Sequence, residues 1–340
     1  MHRSEITVDL GALRRNVRTL LRVLDGAELW AVVKADAYGH GARDVAGAAL
    51  AAGASALCVA TVAEGLALRD EFREARILVL GPITSNRDIA LAREARLELA
   101  ISDGEIPDDV RVHLKLDTGM GRYGLSELPP PRANVVGLMT HLATADTDDA
   151  FAQLQIERFL RATAPFAHLT RHAANSAAAL RLPEARLDAA RCGIAVYGLS
   201  PFGSDPAADG LEPVLSWSSQ LAQTKLLRAG ESTGYGRRFV AERDTWIGLV
   251  PVGYGDGFRR DMTGTEVRVA GERRRVVGTV SMDSFAVELD RELPPGTPVV
   301  LLGHGVLAEA HARVADTINY ELVCGINGDP RRARRTVVDG

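Results

Sequence analysis

The sequence predicts an α/β protein, a (β/α)8 barrel of the TIM type followed by a second, mostly β domain. Eight short apolar runs occur in the first part of the chain, with helical patterns between most of them, and such strands are typical of a parallel sheet covered on both faces. Polar residues stand where these runs end, as at the active face of a barrel. We expect the barrel over residues 9–211 and the β-rich domain over 212–340. A doubly wound open sheet is the competing layout, and the count of eight favours the barrel.

The barrel elements follow one another in a regular order. Asp9 is the expected N-cap of a first helix, because leucines and valines recur after it at helical spacing. Further helical patterns are AEGLALRDEF (63–72) and DIALAREA (88–95). The eight predicted strands are WAVVKA (30–35), ALCVAT (56–61), ILVLG (77–81), LELAI (97–101), VHLKLD (112–117), VVGLMTHL (135–142), HLTRHAAN (168–175) and AARCGIAVYG (189–198).

The pattern changes near residue 211, where long helical periodicities give way to short strand-like runs separated by Gly and Pro. A helix is expected to begin within ADTINYELVCGI (315–326), and the basic tail 331–340 is expected to be frayed. The predicted strands are WIGLVPV (246–252), EVRVAG (266–271), RRRVVGTV (273–280), FAVEL (285–289) and PVVLLG (298–303).

Composition excludes several classes of protein. The net charge of −4 and the pI of about 6.1 give no support for nucleic-acid binding. The three cysteines have no zinc-type spacing, so no metal site is expected and a reducing cytoplasm is the simplest interpretation. No apolar run has the length of a membrane helix or the pattern of a signal peptide, so no membrane partner is expected.

The polar residues at the predicted strand ends indicate the chemistry. Lys34 ends the first apolar run, although lysine is seldom buried unpaired. The others are Lys115, Asp117, Arg122, His141, His172, Asn175, Ser176, Arg191 and Gly193. The loops after strands 7 and 8 of such barrels often bind phosphate. An amine near a phosphate anchor is what a pyridoxal phosphate (PLP) Schiff base requires.

Each residue also has a simpler explanation. Lys34 could be solvated, Arg191 could pair with Asp188, and Ser176 could be only a helix N-cap. Gly119–Gly124 fits G-x-G-x-x-G, but the proline-rich stretch that follows cannot extend the helix that a dinucleotide site needs.

The stretch AVVKADAYGHG resembles the PLP-lysine signature of alanine racemases. Further motifs follow in that family's order across residues 31–325: LKLDTGMGRYG, THLATAD, RHAANSAA, RCGIAVYGL, GYGDGF, VSMD and DTINYELVCGI. The resemblance implies a PLP-carrying barrel and a C-terminal β domain that also takes in residues 1–8. It further implies a homodimer with shared active sites, which interconverts L-alanine and D-alanine and supplies D-alanine for peptidoglycan.

The resemblance also assigns roles. Lys34 would hold PLP as a Schiff base and act as one acid/base, and Tyr235 of the partner subunit would act on the opposite face of the substrate. Arg191 matches an arginine that faces the pyridine nitrogen, disfavours its protonation and so favours racemisation over transamination. Arg122 would reach the PLP phenolic oxygen and the substrate carboxylate, which Met282 would bind through its backbone N–H. The remaining implied cofactor contacts are Tyr38, His141, His172, Asn175, Ser176, Gly193, Ile194 and Tyr320.

Two positions carry more specific expectations. Lys115 matches a lysine that some members carry as a carbamate, which could pair with Arg122. Asp146, Tyr254 and Thr279 match the corridor to the site, but Thr279 stands where relatives have arginine. We therefore expect a less guarded entrance and a wider substrate range.

Two rival functions stay open. A serine or broader small amino-acid racemase, or a decarboxylase, could use the same fold, although a decarboxylase benefits from a strong electron sink that Arg191 would weaken. A non-catalytic PLP carrier is the rival from another class, although the small barrel carriers lack a C-terminal β domain.

Overall fold

The computed structural model describes residues 3–340, and eight parallel strands in it close into a barrel in chain order. The chain forms two units. One comprises Leu13–Phe202 with Asp209–Leu211, and the other comprises the described residues up to Ala12, Gly203–Ala208 and Glu212–Gly340. Residues 1 and 2 of the predicted N-terminal segment lie outside the described residues.

The predicted barrel is confirmed, and the open-sheet alternative is wrong. Strand β1 (Ser4–Asp9) and helix α1 (Leu10–Leu24) come first, and the Asp9 carboxylate caps α1 by accepting from the backbone N–H of Ala12 at 3.0 Å. Each of the eight predicted apolar runs overlaps a barrel strand. These strands are β2 (Glu28–Val32), β3 (Ala56–Val59), β4 (Arg76–Val79), β5 (Glu98–Ile101), β6 (Val112–Lys115), β7 (Val135–Met139), β8 (Thr170–His172) and β9 (Ala189–Cys192). β2 and β4 begin one or two residues before their predicted runs.

Helical segments connect most of these strands. Except for the first, which is left-handed, they are right-handed: α2 (Lys34–Tyr38), α3 (Ala42–Ala51), α4 (Val62–Arg69), α5 (Asn86–Glu94), α6 (Asp149–Thr163) and α7 (Ser176–Arg181). Every residue of β3, β5, β6 and β9 is buried. The burial on both faces explains why these runs lack polar alternation.

The other unit is built on a nine-stranded sheet that includes β1. Its later elements are β10 (Leu215–Gln220), β11 (Gln223–Leu227), β12 (Ser232–Thr233), β13 (Phe239–Val240), β14 (Thr245–Val250), β15 (Glu266–Val269), β16 (Glu272–Val277), β17 (Phe285–Leu289), β18 (Pro298–Leu302), α8 (Ala308–Val314), α9 (Asn319–Cys324) and β19 (Ala333–Val338). The sheet order is β11-β14-β17-β16-β15-β18-β10-β1-β19, and β12 pairs with β13 separately.

The expectation of a frayed tail is wrong. Residues Ala333–Val338 form β19, which pairs in parallel with β1 along its full length. Arg334 also forms an ion pair with Glu5. β19 is held by β1, a strand more than 300 residues away along the chain. The basic composition of the tail therefore wrongly indicated a frayed end.

Among residues 3–340, no helix is both long and apolar enough to cross a membrane.

Candidate active site

Lys34 lies two residues beyond the end of β2, at the C-terminal face of the barrel, as expected. Besides burial, the positive charge of Lys34 lowers the pKa of His141, as do the charges of Arg191, Lys115 and Arg122. These side chains lie near or after the C-terminal ends of β2, β6, β7 and β9, on one face of the closed barrel, and the cationic ones are within electrostatic range of His141. This convergence agrees with the placement predicted from the strand ends.

The segment that carries Lys34 has an unusual backbone. Ala35, Asp36, Ala37 and Tyr38 all have φ between 50° and 55°, so α2 is a short left-handed turn. Such a conformation costs L-residues roughly 1–2 kcal/mol each. The turn is held by hydrogen bonds, including Ala37 N–H to the Val33 carbonyl at 2.9 Å.

Glu64 fixes the start of this turn from outside. Its carboxylate accepts from the backbone N–H groups of Ala35 at 2.8 Å and of Ala60 at 2.6 Å. It also takes part in the capping box of α4 with Thr61. One acidic side chain thus ties the residue after Lys34 to the end of β3.

Arg191 is buried in β9, and both terminal nitrogens of its guanidinium donate hydrogen bonds to protein atoms. Nη1 donates to His172 Nδ1 at 2.7 Å and to the His172 carbonyl at 2.9 Å. Nη2 donates to the carbonyls of Thr140 at 2.7 Å and Ala173 at 3.3 Å. Since a guanidinium has five N–H donors, the one on Nε is left over. The sequence-level alternative of a pair with Asp188 is wrong, because Asp188 accepts from the Arg171 backbone N–H instead.

Behind Arg191, a line of hydrogen bonds runs through the barrel interior. His172 Nε2 lies 2.8 Å from His113 Nδ1, and His113 Nε2 lies 3.0 Å from Glu98 Oε2. Arg76 and Arg111 each lie 3.2 Å from the Glu98 carboxylate. Both histidines are fully buried, and the ring of Trp30 packs against them.

The site is strongly cationic. Burial and the charges of Arg122 and Arg191 lower the pKa of Lys115 to about 8. Burial, with the charges of Arg191, Lys115, Arg122 and Lys34, lowers the pKa of His141 to about 3. Burial also lowers the pKa of Arg191 to about 10. At neutral pH His141 is therefore uncharged, and the remaining positive groups favour an anionic ligand.

The loops after β8 and β9 form the predicted phosphate side of the barrel. Ser176 Oγ accepts from the backbone N–H of Gly193 at 3.0 Å and of Ala195 at 3.3 Å, so Ser176 is not the helix N-cap. The N-cap of α7 is Asn175, whose side chain accepts from the Ala178 N–H. A Cβ at position 193 would lie 2.4 Å from the Tyr38 hydroxyl, so only glycine admits this close approach. Ile194 is buried in the same loop.

In the C-terminal unit, Tyr235 is 69% exposed and its backbone is supported by Thr279, which is 7% exposed. Thr279 Oγ1 donates to the Tyr235 carbonyl at 2.8 Å. Two glycines allow this contact: a Cβ at Gly234 would lie 3.0 Å from the Thr279 nitrogen, and one at Gly278 would lie 2.9 Å from the Thr233 carbonyl. Thr279 therefore has a structural link to Tyr235 that sequence reasoning missed.

Met282 and Tyr254 belong to neighbouring loops of the same unit. The Tyr254 N–H donates to the Ser281 carbonyl at 3.0 Å, and the Gly255 N–H donates to that of Met282 at 2.9 Å. Both side chains are exposed, and Tyr320 lies in α9. In the barrel, Arg122 and Asp146 lie in exposed loops after β6 and β7.

Sequence reasoning also missed Glu64, Glu98 and His113. The available signal was a charged or polar residue inside an apolar strand run, Glu98 in LELAI and His113 in VHLKLD. Charged residues are almost never fully buried unless they are paired. Glu98 and His113 therefore each indicated a buried partner, but the sequence did not identify that partner.

The chain is similar to known proteins over most of its length. A family model described as alanine racemase, N-terminal domain, matches residues 8–201, and one described as alanine racemase, C-terminal domain, matches residues 214–335. Alanine racemase 1 of Bacillus subtilis is 41% identical over 350 residues, covering 94% of this chain and 90% of that protein.

Solved structures give the same result. The alanine racemase of D-cycloserine-producing Streptomyces lavendulae has a TM-score of 0.90 at 35% identity, with 100% of this chain and 98% of that chain covered. The biosynthetic alanine racemase of Pseudomonas aeruginosa has a TM-score of 0.91 at 36% identity, with 99% and 100% covered.

Proposed function

This chain belongs to the alanine racemase family, and from that premise we propose how its residues carry out the family's reaction. The protein is an isomerase that interconverts L-alanine and D-alanine. In the family this reaction supplies D-alanine for peptidoglycan. The single observation that carries the residue assignment is the convergence of Lys34 and the buried, almost fully bonded Arg191 on one face of the barrel.

The residues present fit PLP as the cofactor. The leftover Nε–H donor of Arg191 suits an acceptor such as an unprotonated pyridine nitrogen. The cationic surroundings suit a phosphate, and the glycine at 193 leaves the Tyr38 hydroxyl room beside the loop after β9. When bound, PLP would withdraw electrons from the substrate's Cα and so make its proton acidic.

Lys34 and Tyr235 are the proposed acid/base pair. The Lys34 amine would hold the cofactor and would move a proton on one face of the substrate's Cα. The Tyr235 phenol of the partner subunit in a homodimer moves a proton on the other face. Its high exposure within this chain is compatible with that role. A phenol has an ordinary pKa of about 10, so it needs hydrogen-bond partners to act as a base, and neutral His141 is the proposed partner.

The other side chains bind and orient. Arg122 and the Met282 N–H hold the substrate carboxylate. Arg191 keeps the pyridine nitrogen unprotonated, because its own charge disfavours a second positive charge beside it, and His172 holds Arg191 in place. The proposed cofactor contacts in addition to these are Tyr38, Asn175, Ser176, Gly193, Ile194 and Tyr320.

Lys115 is the proposed carbamate position. Its pKa of about 8 leaves a fraction of the amine neutral near pH 7, and only a neutral amine adds to carbon dioxide. The addition would release one proton to solvent and leave an anion beside Arg122, which replaces a repulsion by an attraction.

A broader small amino-acid racemase is the second candidate. What favours it is Thr279, because the family resemblance implies an arginine at this position of a corridor that would also include Asp146 and Tyr254. The non-catalytic carrier has no such support, because the chain has the nine-stranded second unit that small carriers lack.

The test is chiral detection of D-alanine formed from L-alanine by the PLP-loaded protein. Lys34→Ala should abolish formation. Tyr235→Phe should lower racemisation by roughly 10²- to 10⁴-fold, the usual contribution of one acid/base group. In D₂O it should still exchange the α-proton of one enantiomer through Lys34. Tyr123→Phe, which changes another exposed tyrosine, is the matched control and should keep its activity. Undiminished racemisation in Tyr235→Phe would refute the two-base assignment.

A further inference from the structure

The buried line of hydrogen bonds that ends at Arg191 has only one consistent proton arrangement. A guanidinium can only donate, so Arg191 requires a lone pair on His172 Nδ1. A carboxylate can only accept, so Glu98 requires a proton on His113 Nε2. A neutral imidazole carries one proton on one of its two nitrogens. Both rings must therefore be protonated on Nε2 and bare on Nδ1, and the central contact is a donation from His172 Nε2–H to His113 Nδ1.

The protonation states of the chain agree with this arrangement. Burial lowers the pKa of both His113 and His172, so both rings are neutral at physiological pH. Burial opposes ionisation of Glu98, but the bond from His113 and the charges of Arg76 and Arg111 outweigh it and hold the Glu98 pKa at about 2. The line therefore joins a buried cation to a buried anion through two neutral rings.

Neighbouring barrel residues leave room for this line of hydrogen bonds and pack against it. Gly137 in β7 pairs with His113 in β6, and a Cβ on Gly137 would lie only 2.1 Å from His113 Nδ1. Any larger residue would push the two imidazoles apart. Trp30 packs against both rings, and Arg76 in turn stacks 4.7 Å from the centroid of the Trp30 ring. Glu98 borders a cavity of about 320 Å³ that is separate from the proposed substrate site.

We propose that Glu98 is a positioning residue for Arg191, which acts by fixing the tautomers of His113 and His172. The proposal rests on the proposed function, because Arg191 matters only as the group facing the cofactor's nitrogen. Without the carboxylate, the His113 Nε2–H loses its acceptor. If that proton moved to His113 Nδ1, the Nδ1–H would face the Nε2–H of His172, and two donors would oppose each other. His172 could relieve this only by moving its own proton to Nδ1, which would then face the Arg191 donor. In either arrangement Arg191 loses its fixed position.

The first measurement is the tautomer of each histidine in the PLP-loaded wild-type protein. The chain has eight histidines, so ¹⁵N-histidine labelling gives few signals, and His113→Gln and His172→Gln variants assign them. Both residues should show a pyridine-type Nδ1 and a pyrrole-type Nε2. A protonated Nδ1 on either ring would overturn the proposal, whatever any variant does.

The second measurement compares variants at Glu98. In Glu98→Leu the signal of His113 should shift toward the Nδ1–H form. Glu98→Gln should retain the wild-type tautomers, because its amide oxygen can still accept from His113 while the exposed Arg111 turns away. Glu74→Leu is the matched control, since Glu74 borders the same cavity and pairs with Arg96 instead of a histidine. It should leave both tautomers unchanged.

Kinetics separate this proposal from the proposed function. Glu98→Leu should lower kcat for racemisation by roughly 10- to 100-fold, as loss of an outer support typically does. It should also raise the ratio of pyruvate to D-alanine, where pyruvate would form when the amino group of alanine is transferred to PLP, giving pyridoxamine phosphate, at most once per site. Glu98→Gln should restore both values. Unchanged tautomers and an unchanged product ratio in Glu98→Leu would overturn the positioning role. A wild-type protein with the expected tautomers but no racemisation would instead refute the proposed function.

Discussion

Thr279 combines two roles at the scale of a single residue. The resemblance to alanine racemases implies a corridor position at which an arginine is expected, and the Thr279 hydroxyl also supports the Tyr235 backbone. Thr279→Val keeps the shape and removes this bond. Since a neutral hydrogen bond contributes about 0.5–1.5 kcal/mol, we expect kcat to fall by about 2- to 10-fold. Thr279→Ser, which keeps a hydroxyl, should stay near the wild-type kcat in the same D-alanine assay. Equal kcat values in both variants would contradict the support role.

The same contact changes how the corridor hypothesis is tested. Thr279→Arg should raise discrimination between alanine and serine by narrowing the entrance, but it also removes the hydroxyl that holds Tyr235. Only the ratio of kcat/KM for the two substrates isolates the corridor effect, because loss of Tyr235 support lowers both values together. An unchanged ratio would refute the hypothesis.

Sequence could place some of these residues and not others, for a geometric reason. Lys34 stands near the end of one apolar run and Arg191 lies within another, one residue before β9 ends, and barrel topology alone brings such strand ends to one face. Glu98 and His113 lie inside strands, and their contacts depend on the register between β5, β6 and β8. Residue spacing along the chain carries no information about that register. Their roles could be derived only from the structure.

At the scale of elements, the left-handed turn α2 combines a strained backbone with the proposed catalytic Lys34 at its first position. Ala35 is exposed and has φ of 52°, so its Cβ contributes strain without packing. Ala35→Gly should raise the free energy of unfolding by about 0.5–1 kcal/mol, because relief of strain exceeds the extra freedom of glycine in the unfolded chain. It should also lower kcat, because the residue after Lys34 becomes less restricted.

The control for this prediction is the same substitution in a right-handed helix. Ala51 is exposed at the end of α3, and Ala51→Gly should lower stability by about 0.5–1 kcal/mol. Urea unfolding at fixed protein and PLP concentrations measures both. Destabilisation of similar size in the two variants would show that α2 is not strained.

The strands of the second unit show which elements can be predicted from local sequence and which cannot. The five runs from WIGLVPV to PVVLLG were identified because Gly and Pro separate them, and each overlaps a strand. β19 was missed because a run rich in adjacent arginines on an edge strand resembles a solvated tail. What orders it is parallel pairing with β1, a contact between opposite ends of the chain. Local composition cannot indicate such a pairing.

At the scale of the whole molecule, the proposed active site requires two copies of the chain. Lys34 belongs to the barrel unit and Tyr235 to the other unit, and the proposal takes the two residues of one site from different subunits. Lys34→Ala and Tyr235→Phe chains should each be inactive alone. In a heterodimer, however, one site would receive an intact Lys34 from one chain and an intact Tyr235 from the other.

Mixing the two inactive variants therefore tests the shared site directly. After unfolding and refolding together at equal concentrations, half of the dimers should be heterodimers, each with one complete site of two. Racemisation should then recover to about a quarter of the wild-type rate in a symmetric dimer. Mixing Lys34→Ala with Lys34→Ala/Tyr235→Phe is the control and should stay inactive, because no site in it can contain Lys34. If each site were built within one chain, the two single variants could not complement each other, and the mixture would stay as inactive as its components.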